Sequence, residues 1–266
     1  MTNILLLGFT VGIILALTGA GGGILAVPLL VFGAGLKMAE AGPIGLLAVG
    51  LAAALGAVIG LRNGTVRYKA ALLIAGAGVV CSPLGLWLAQ RTPNQPLTAA
   101  FACVLFYVSF RIFQRSMAPA EGTTTQPKSL PPCQLDSVRG KLIWTLPCAR
   151  ALVLSGVVAG TLSGLLGVGG GFVMVPALQR YTDLVTQSIV ATSLAVIALV
   201  SVSGVAASAA TGHLQWAIAL PFSAGALIGM TLGSLVASRL SGPHLQKGFA
   251  IVSAIVAAAL IVKVFQ

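Results

Sequence analysis

Apolar residues fall into eight long stretches, Ile4–Leu36, Ala41–Leu61, Ala70–Ala89, Leu97–Phe110, Ala151–Leu178, Leu184–Thr211, Trp216–Ala237 and Phe249–Val262. A bilayer's hydrocarbon takes about 20 helical residues to cross, so the pattern predicts a bundle of roughly eight to ten membrane helices. The first and fifth stretches are broken by glycines, at Gly19-Ala20-Gly21-Gly22-Gly23 and Gly167-Val168-Gly169-Gly170-Gly171. In the first, the pieces are Asn3–Thr18 and Gly22–Gly35. At 1.5 Å per residue the second piece is about 20 Å long, too short to cross, so a re-entrant or broken hairpin is expected. A single polar stretch, Arg115 to Arg150, interrupts the apolar pattern, and its portion Ala118 to Pro127 reads as flexible coil. The expected layout is a first membrane repeat over 1–114, a polar cytoplasmic linker over 115–150, and a second membrane repeat over 151–266.

The two halves repeat one another at an offset of 148, since 156 − 8 = 148 brings Gly8 through Leu30 onto Gly156 through Leu178 without a gap. Glycines and prolines carry the match: Gly8/Gly156, Gly12/Gly160, Gly19/Gly167, Gly21/Gly169, Gly22/Gly170, Gly23/Gly171 and Pro28/Pro176. Apolar composition alone would align leucines by chance but would not hold a glycine and proline register. The repeats are parallel if the broken element makes one net crossing, and inverted if it makes none or two. Charge votes between these arrangements. With the Arg62–Lys69 loop and the linker inside, inverted repeats place twelve Lys and Arg inside and three outside, whereas parallel repeats give ten and five. The positive-inside bias therefore predicts inverted repeats with both termini outside.

Composition strengthens the membrane reading and removes other classes. Of 266 residues, 58% are hydrophobic and only 7% charged, against about 25% in a soluble domain. No room remains for a sizeable soluble catalytic domain. A net charge of +11 would raise nucleic acid as a partner, but the basic residues lie between apolar runs, so none is expected. Met1-Thr2-Asn3 has no basic n-region, and the first segment is read as mature structure. Cys81, Cys103, Cys133 and Cys148 form no CxxC pair or metal-ligand spacing, and the two inside apolar runs are expected to act as small hydrophobes; with His213 and His244 isolated, no metal and no other cofactor is expected. Tyr68, Trp87 and Trp216 are expected at the membrane interfaces, with Trp144 at the end of the linker.

The chemistry is expected at the glycine breaks. Glycine lets the backbone turn sharply, and non-helical peptide groups at membrane depth survive only against protein or a watery cavity. Each break opens a new helix whose first N–H groups are unpaired and sit at the positive end of its dipole. Two such ends brought together form an anion site needing no cationic side chain. The candidate binding residues are Gly19, Gly21, Gly22, Gly23, Gly167, Gly169, Gly170 and Gly171. Close helix packing is the plainer explanation of membrane glycines and suits Gly225, Gly229 and Gly233. It accounts less well for a triple glycine followed five residues later by proline, twice at one register. Pro28 and Pro176 are expected to shape the short helices.

The run Gly160-Thr161-Leu162-Ser163-Gly164-Leu165-Leu166-Gly167-Val168-Gly169-Gly170-Gly171-Phe172-Val173-Met174-Val175-Pro176, with the later Ala191-Thr192-Ser193-Leu194, resembles the TauE/SafE-type sulfite exporter family, also described as the toluene-sulfonate uptake permeases. The resemblance covers all but the central linker. It implies a multi-pass transporter of a bacterial inner membrane for small sulfur-containing or organic anions such as sulfite, sulfonates or sulfoacetate. One departure bears on the site: where the second half has Ala191-Thr192-Ser193, the first has Pro43-Ile44-Gly45. Thr192 and Ser193 are expected about 13 Å into their helix, near mid-membrane, where hydroxyls can donate to sulfonate oxygens or bond to neighbouring helices.

No Asp, Glu, Lys, Arg or His falls near the middle of any apolar stretch, so no buried proton relay is expected. Glu40 and Asp183 lie in short loops after the broken elements, near a mouth or simply solvated. The expected function is a carrier, with the lipid bilayer and a small anion as partners and a homo-oligomer left open. A non-transporting scaffold or assembly factor is the alternative. An intramembrane enzyme is disfavoured, because Thr192, Ser193 and Ser163 have no evident basic partner.

Overall fold

The computed structural model describes residues 2–19, 21–117, 133, 145–210, 212, 214–240 and 243–264. They form ten α-helices: α1 (Thr2–Thr18), α2 (Gly21–Gly33), α3 (Met38–Arg62), α4 (Tyr68–Arg91), α5 (Asn94–Met117), α6 (Leu146–Leu166), α7 (Gly171–Tyr181), α8 (Thr186–Ala210), α9 (Trp216–Leu240) and α10 (Pro243–Val264). Five are long and apolar enough to cross a membrane: α3, α4, α6, α8 and most of α9, over Trp216–Leu235. The chain is an all-α membrane protein. Helix α6 starts at Leu146, inside the stretch expected to be linker, because Thr145 caps it by accepting the Cys148 N–H and a proline occupies its first turn.

Each glycine break turns a helical hairpin. Gly22 at the start of α2 lies against Leu15 near the end of α1, and Gly33 at the end of α2 lies against Leu7, so α2 runs back beside α1. With 17 and 13 residues, the two arms are about 25 and 20 Å long. The end of α2 therefore lies back beside the start of α1, and α3 is the first helix long and apolar enough to cross a membrane. In the second half, α7 has 11 residues and Gly170 at its cap lies against Ala159 of α6.

Helices pair between the halves. Gly8 and Gly12 of α1 lie against Phe222 and Ala226 of α9, while Gly156 and Gly160 of α6 lie against Ile74 and Gly78 of α4. Shifting either end of the first set by 148 gives the second set. In both pairs the numbers rise together, so the partners are parallel. The central pair is different: Gly50, Gly56 and Gly60 of α3 lie against Ser201, Leu194 and Ala191 of α8, so these helices are antiparallel. The apolar effect between helices is absent in lipid, and glycine contacts of this kind let backbones approach closely enough for dispersion to hold them. Helices α5 and α10 pack together at the edge.

The surface is apolar where a soluble protein's would be polar. Leu72, Val80, Leu84 and Leu88 form an exposed row along α4, and Leu220, Ile228 and Leu232 form the corresponding row on α9. Tyr68, Trp87 and Trp216 are exposed at helix ends, and the Arg91 guanidinium stacks 4.1 Å from the Trp87 ring centre. Glu40 is a helix-capping residue whose carboxylate accepts the Lys37 backbone N–H at the start of α3. Asp183 is exposed between α7 and α8.

The cysteines depart from expectation. Cys133 and Cys148 form a disulfide with their Cα atoms 4.9 Å apart, and the Cys133 N–H donates to the Tyr181 carbonyl. Both lie outside the apolar stretches, where the argument that cysteine acts as a small hydrophobe has no force. Cys81 and Cys103 are free thiols, as expected of cysteines within spans. Trp144 and His213 lie outside the described residues.

Candidate functional site

Helices α1 and α6 both end on left-handed glycines. Gly19 (φ 74°) donates its N–H to the Leu15 carbonyl at 2.8 Å, and Gly167 (φ 70°) donates to Ser163 at 2.9 Å. Only glycine adopts this conformation without penalty, and the resulting caps satisfy carbonyls that would otherwise be orphaned. Gly169 and Gly170 are also left-handed, with φ of 77° and 66°, and Gly170 is the cap of α7. Gly21 opens α2, Gly22 and Gly23 follow within its first turn, and Gly171 opens α7.

The two tips meet between α3 and α8. A methyl carbon on Gly23 would lie 2.5 Å from the Val168 carbonyl oxygen and 3.3 Å from Val49 Cγ1. One on Gly169 would lie 2.9 Å from Ile197 Cγ2, 3.4 Å from the same Val49 carbon and 3.7 Å from Ser201 Oγ. Gly167 packs on Gly42 of α3, and Gly19 packs on Val190 of α8, contacts related by the same 148-residue shift. The candidate glycines thus converge on one region. Among the described residues, no Asp, Glu, Lys, Arg or His lies in the middle of a helix, and no cluster of His, Cys, Asp and Glu could hold a metal. The electrostatics of the tips therefore come from helix ends, each equivalent to about half a positive charge.

The hydroxyls divide. Thr192 is wholly buried, and its Oγ1 accepts the backbone N–H of Arg67 at 3.1 Å, which fastens α8 to the loop between α3 and α4. Helix α8 starts at Thr186, so Thr192 is only about 9 Å along it, less than the expected 13 Å. Ser193 is wholly buried, its Oγ has no hydrogen-bond partner, and Val190 one turn earlier packs on Gly19. Six further buried serines also lack partners at Oγ, among them Ser82 on α4, Ser163 on α6 and Ser201 on α8. Sequence alone does not mark them as site residues, because a serine in an apolar helix ordinarily bonds to its own preceding turn, as Ser203 and Ser208 do here.

Thr192→Val is expected to lower stability by about 1 kcal/mol, because the Arg67 N–H loses its acceptor. Thr192→Ser, which keeps the oxygen, should melt within a degree or two of wild type in detergent. A valine variant as stable as wild type would show that the bond does not clamp α8 to the loop.

The family model for the sulfite exporter TauE/SafE matches residues 4–260, which takes in both hairpins and every crossing helix. The chain belongs to the TauE/SafE sulfite exporter family. As a TauE/SafE protein it is a membrane transporter, in keeping with its relatives. It is 28% identical over 241 residues to a probable membrane transporter protein of Xylella fastidiosa strain Temecula1, covering 88% of this chain and 84% of that one. A probable membrane transporter protein of Bacillus subtilis is 25% identical over 244 residues, covering 89% and 88%. One from Methanocaldococcus jannaschii is 25% identical over 260 residues, covering 91% and 88%. No solved structure matches the chain.

Proposed function

We propose that this TauE/SafE protein carries a small sulfur or organic oxyanion, such as sulfite, a sulfonate or sulfoacetate, held between the two glycine breaks. The reading rests chiefly on the approach of Gly23 to Val168, which sets the openings of two short helices against each other between α3 and α8. Backbone N–H groups of Gly21, Gly22 and Gly23 serve the anion from one side, and those of Gly169, Gly170 and Gly171 from the other. Ser193 adds a hydroxyl beside the first break. An anion bound this way meets fixed dipoles and avoids the desolvation of a buried cationic partner.

In this reading α1–α5 and α6–α10 are inverted repeats, and transport is a rocking of one against the other. The antiparallel α3 and α8 support the inversion, as do hairpins that return to their starting side. The twelve-to-three charge count supports a cytoplasmic linker and Arg62–Lys69 loop, with a bacterial inner membrane as the setting of this reading. The cysteine pair votes the other way, since disulfides persist in oxidising compartments. Twelve charges in four separate segments outweigh one pair, so in this reading the Cys133–Cys148 disulfide is reduced to two thiols in the cell. A compartment-sensitive reporter fused after Gln266 is expected to report the outside. A cytoplasmic signal would turn the whole protein over and put the disulfide in the oxidising compartment.

The carrier reading is tested in proteoliposomes with radiolabelled sulfite, sulfoacetate and an aliphatic sulfonate. Saturable flux of at least one, above protein-free vesicles, is the expected result. No flux of any of them would replace the carrier with a scaffold.

A further inference from the structure

Hydroxyls are distributed unequally around the two tips. Ser82, Ser163 and Ser201 are at most 2% exposed and have no partner at Oγ. Their counterparts 148 residues away are Met230, Leu15 and Ala53, none of which can donate a hydrogen bond. Leaving a hydroxyl buried and unpartnered is costly, and such groups call for a ligand or water to complete them. Of the seven buried serines without an Oγ partner, these three lie on α4, α6 and α8, the other four being Ser193, Ser109, Ser223 and Ser253, and Ser201 is the one whose Oγ lies beside a glycine of the second break.

Ser201 is the best placed. It lies within about 5 Å, along the axis, of the midpoint of α8, close to mid-membrane. Its Oγ is 3.1 Å from where a methyl carbon on Gly50 would sit and 3.7 Å from where one on Gly169 would sit. It therefore lies beside Gly169, with Ile197 and Val49 packed on the same side, next to the opening of α7. Ser82 is one turn further along the same wall: its Oγ is 3.2 Å from the corresponding position on Gly204, the residue one turn beyond Ser201. Within reach of the α7 opening, an oxyanion could take N–H donors from the backbone and an O–H donor from Ser201.

We infer that Ser201 is a substrate-binding residue that donates to an oxygen of the transported oxyanion at the second glycine break, with Ser82 as a neighbouring donor. The inference rests on the carrier reading above and adds to it that the second tip holds the anion's oxygens, while the first tip, walled by Leu15, Ala53 and Met230, takes no hydroxyl bond from these positions. A sulfite or sulfonate head group fits, because its oxygens can be shared between backbone and hydroxyl donors.

The test uses the full chain in proteoliposomes with radiolabelled sulfite. Ser201→Ala should raise KM for sulfite about tenfold, the scale of losing one hydrogen bond to a charged group, with a smaller change in kcat. Ser82→Ala should raise it less. Because Ser201 Oγ has no protein partner, the alanine variant should melt no lower than wild type, which separates a lost ligand contact from a damaged fold. Ser109→Ala, which removes another buried unpartnered hydroxyl on α5, should leave KM unchanged. An unchanged KM in Ser201→Ala alongside active wild type overturns the assignment and leaves the carrier reading standing. Wild-type protein that neither transports nor binds sulfite, sulfoacetate or an aliphatic sulfonate overturns both.

Discussion

Replacing Gly170 with valine is expected to abolish transport while the protein still inserts in the membrane. Gly170 caps α7 with φ at 66°, a conformation that costs a β-branched residue about 2 kcal/mol. A side chain there would also meet backbone: its first carbon would lie 2.5 Å from the Ala159 carbonyl oxygen and 3.0 Å from the carbonyl carbon. Backbone cannot change rotamer, so the opening of α7 would have to swing away from α6 and from the tip of the other hairpin. Gly64 separates the two costs, because it has φ at 67° but nothing within 4 Å of its missing side chain. Gly64→Val should therefore show the conformational penalty alone, as a modest loss of stability with transport retained. Gly22→Val should behave like Gly170→Val, since its side chain would collide with the backbone of Leu15. Measured sulfite flux near wild type in Gly170→Val would remove the breaks from the site.

Leucine at Gly12 or Gly160 should have the second large effect, on folding itself. Gly12 lies against the Ala226 carbonyl and the Met230 amide, and Gly160 against the backbone of Gly78. Ordinary overpacking costs about 1–3 kcal/mol when neighbouring side chains can yield, and here the neighbours are main chain. The expected outcome for either variant is loss of the monodisperse peak in fluorescence-detected size exclusion, with most of the protein aggregated. Because the two sites are the same contact in two copies, their losses should be similar. A variant that elutes as wild type would show that α1 and α9, or α6 and α4, do not need backbone contact.

The hairpins and the crossing helices are legible from glycine spacing and apolar run length, since both follow from chain geometry and the thickness of hydrocarbon. The partner of each hairpin is not. A 148-residue offset is satisfied equally by α1 on α4 or by α1 on α9, and only the fold chooses the exchanged arrangement. Thr192 lies shallower than its apolar stretch implies because its helix begins at Thr186, and its oxygen is taken by an amide from a loop 125 residues earlier in the chain. Ser201 is invisible in sequence for a related reason: whether a serine bonds to its own helix depends on side-chain rotation, which sequence does not encode. The cysteine pair carries a usable signal, in that Cys133 and Cys148 are the two outside the spans, but its partner choice depends on where Tyr181 brings the chain.

The exchanged pairing has a consequence for how the protein is made. Helix α1 leaves the ribosome well before α9, yet the surface it packs against begins at Trp216. At about 5–20 residues per second, some 200 residues of synthesis keep α1 waiting on the order of 10 to 40 seconds. Throughout that interval its glycine face has only lipid, or the insertion machinery, as company. Neither half can mature alone, so a chain cut in the linker should yield function only when both pieces are produced in the same cell.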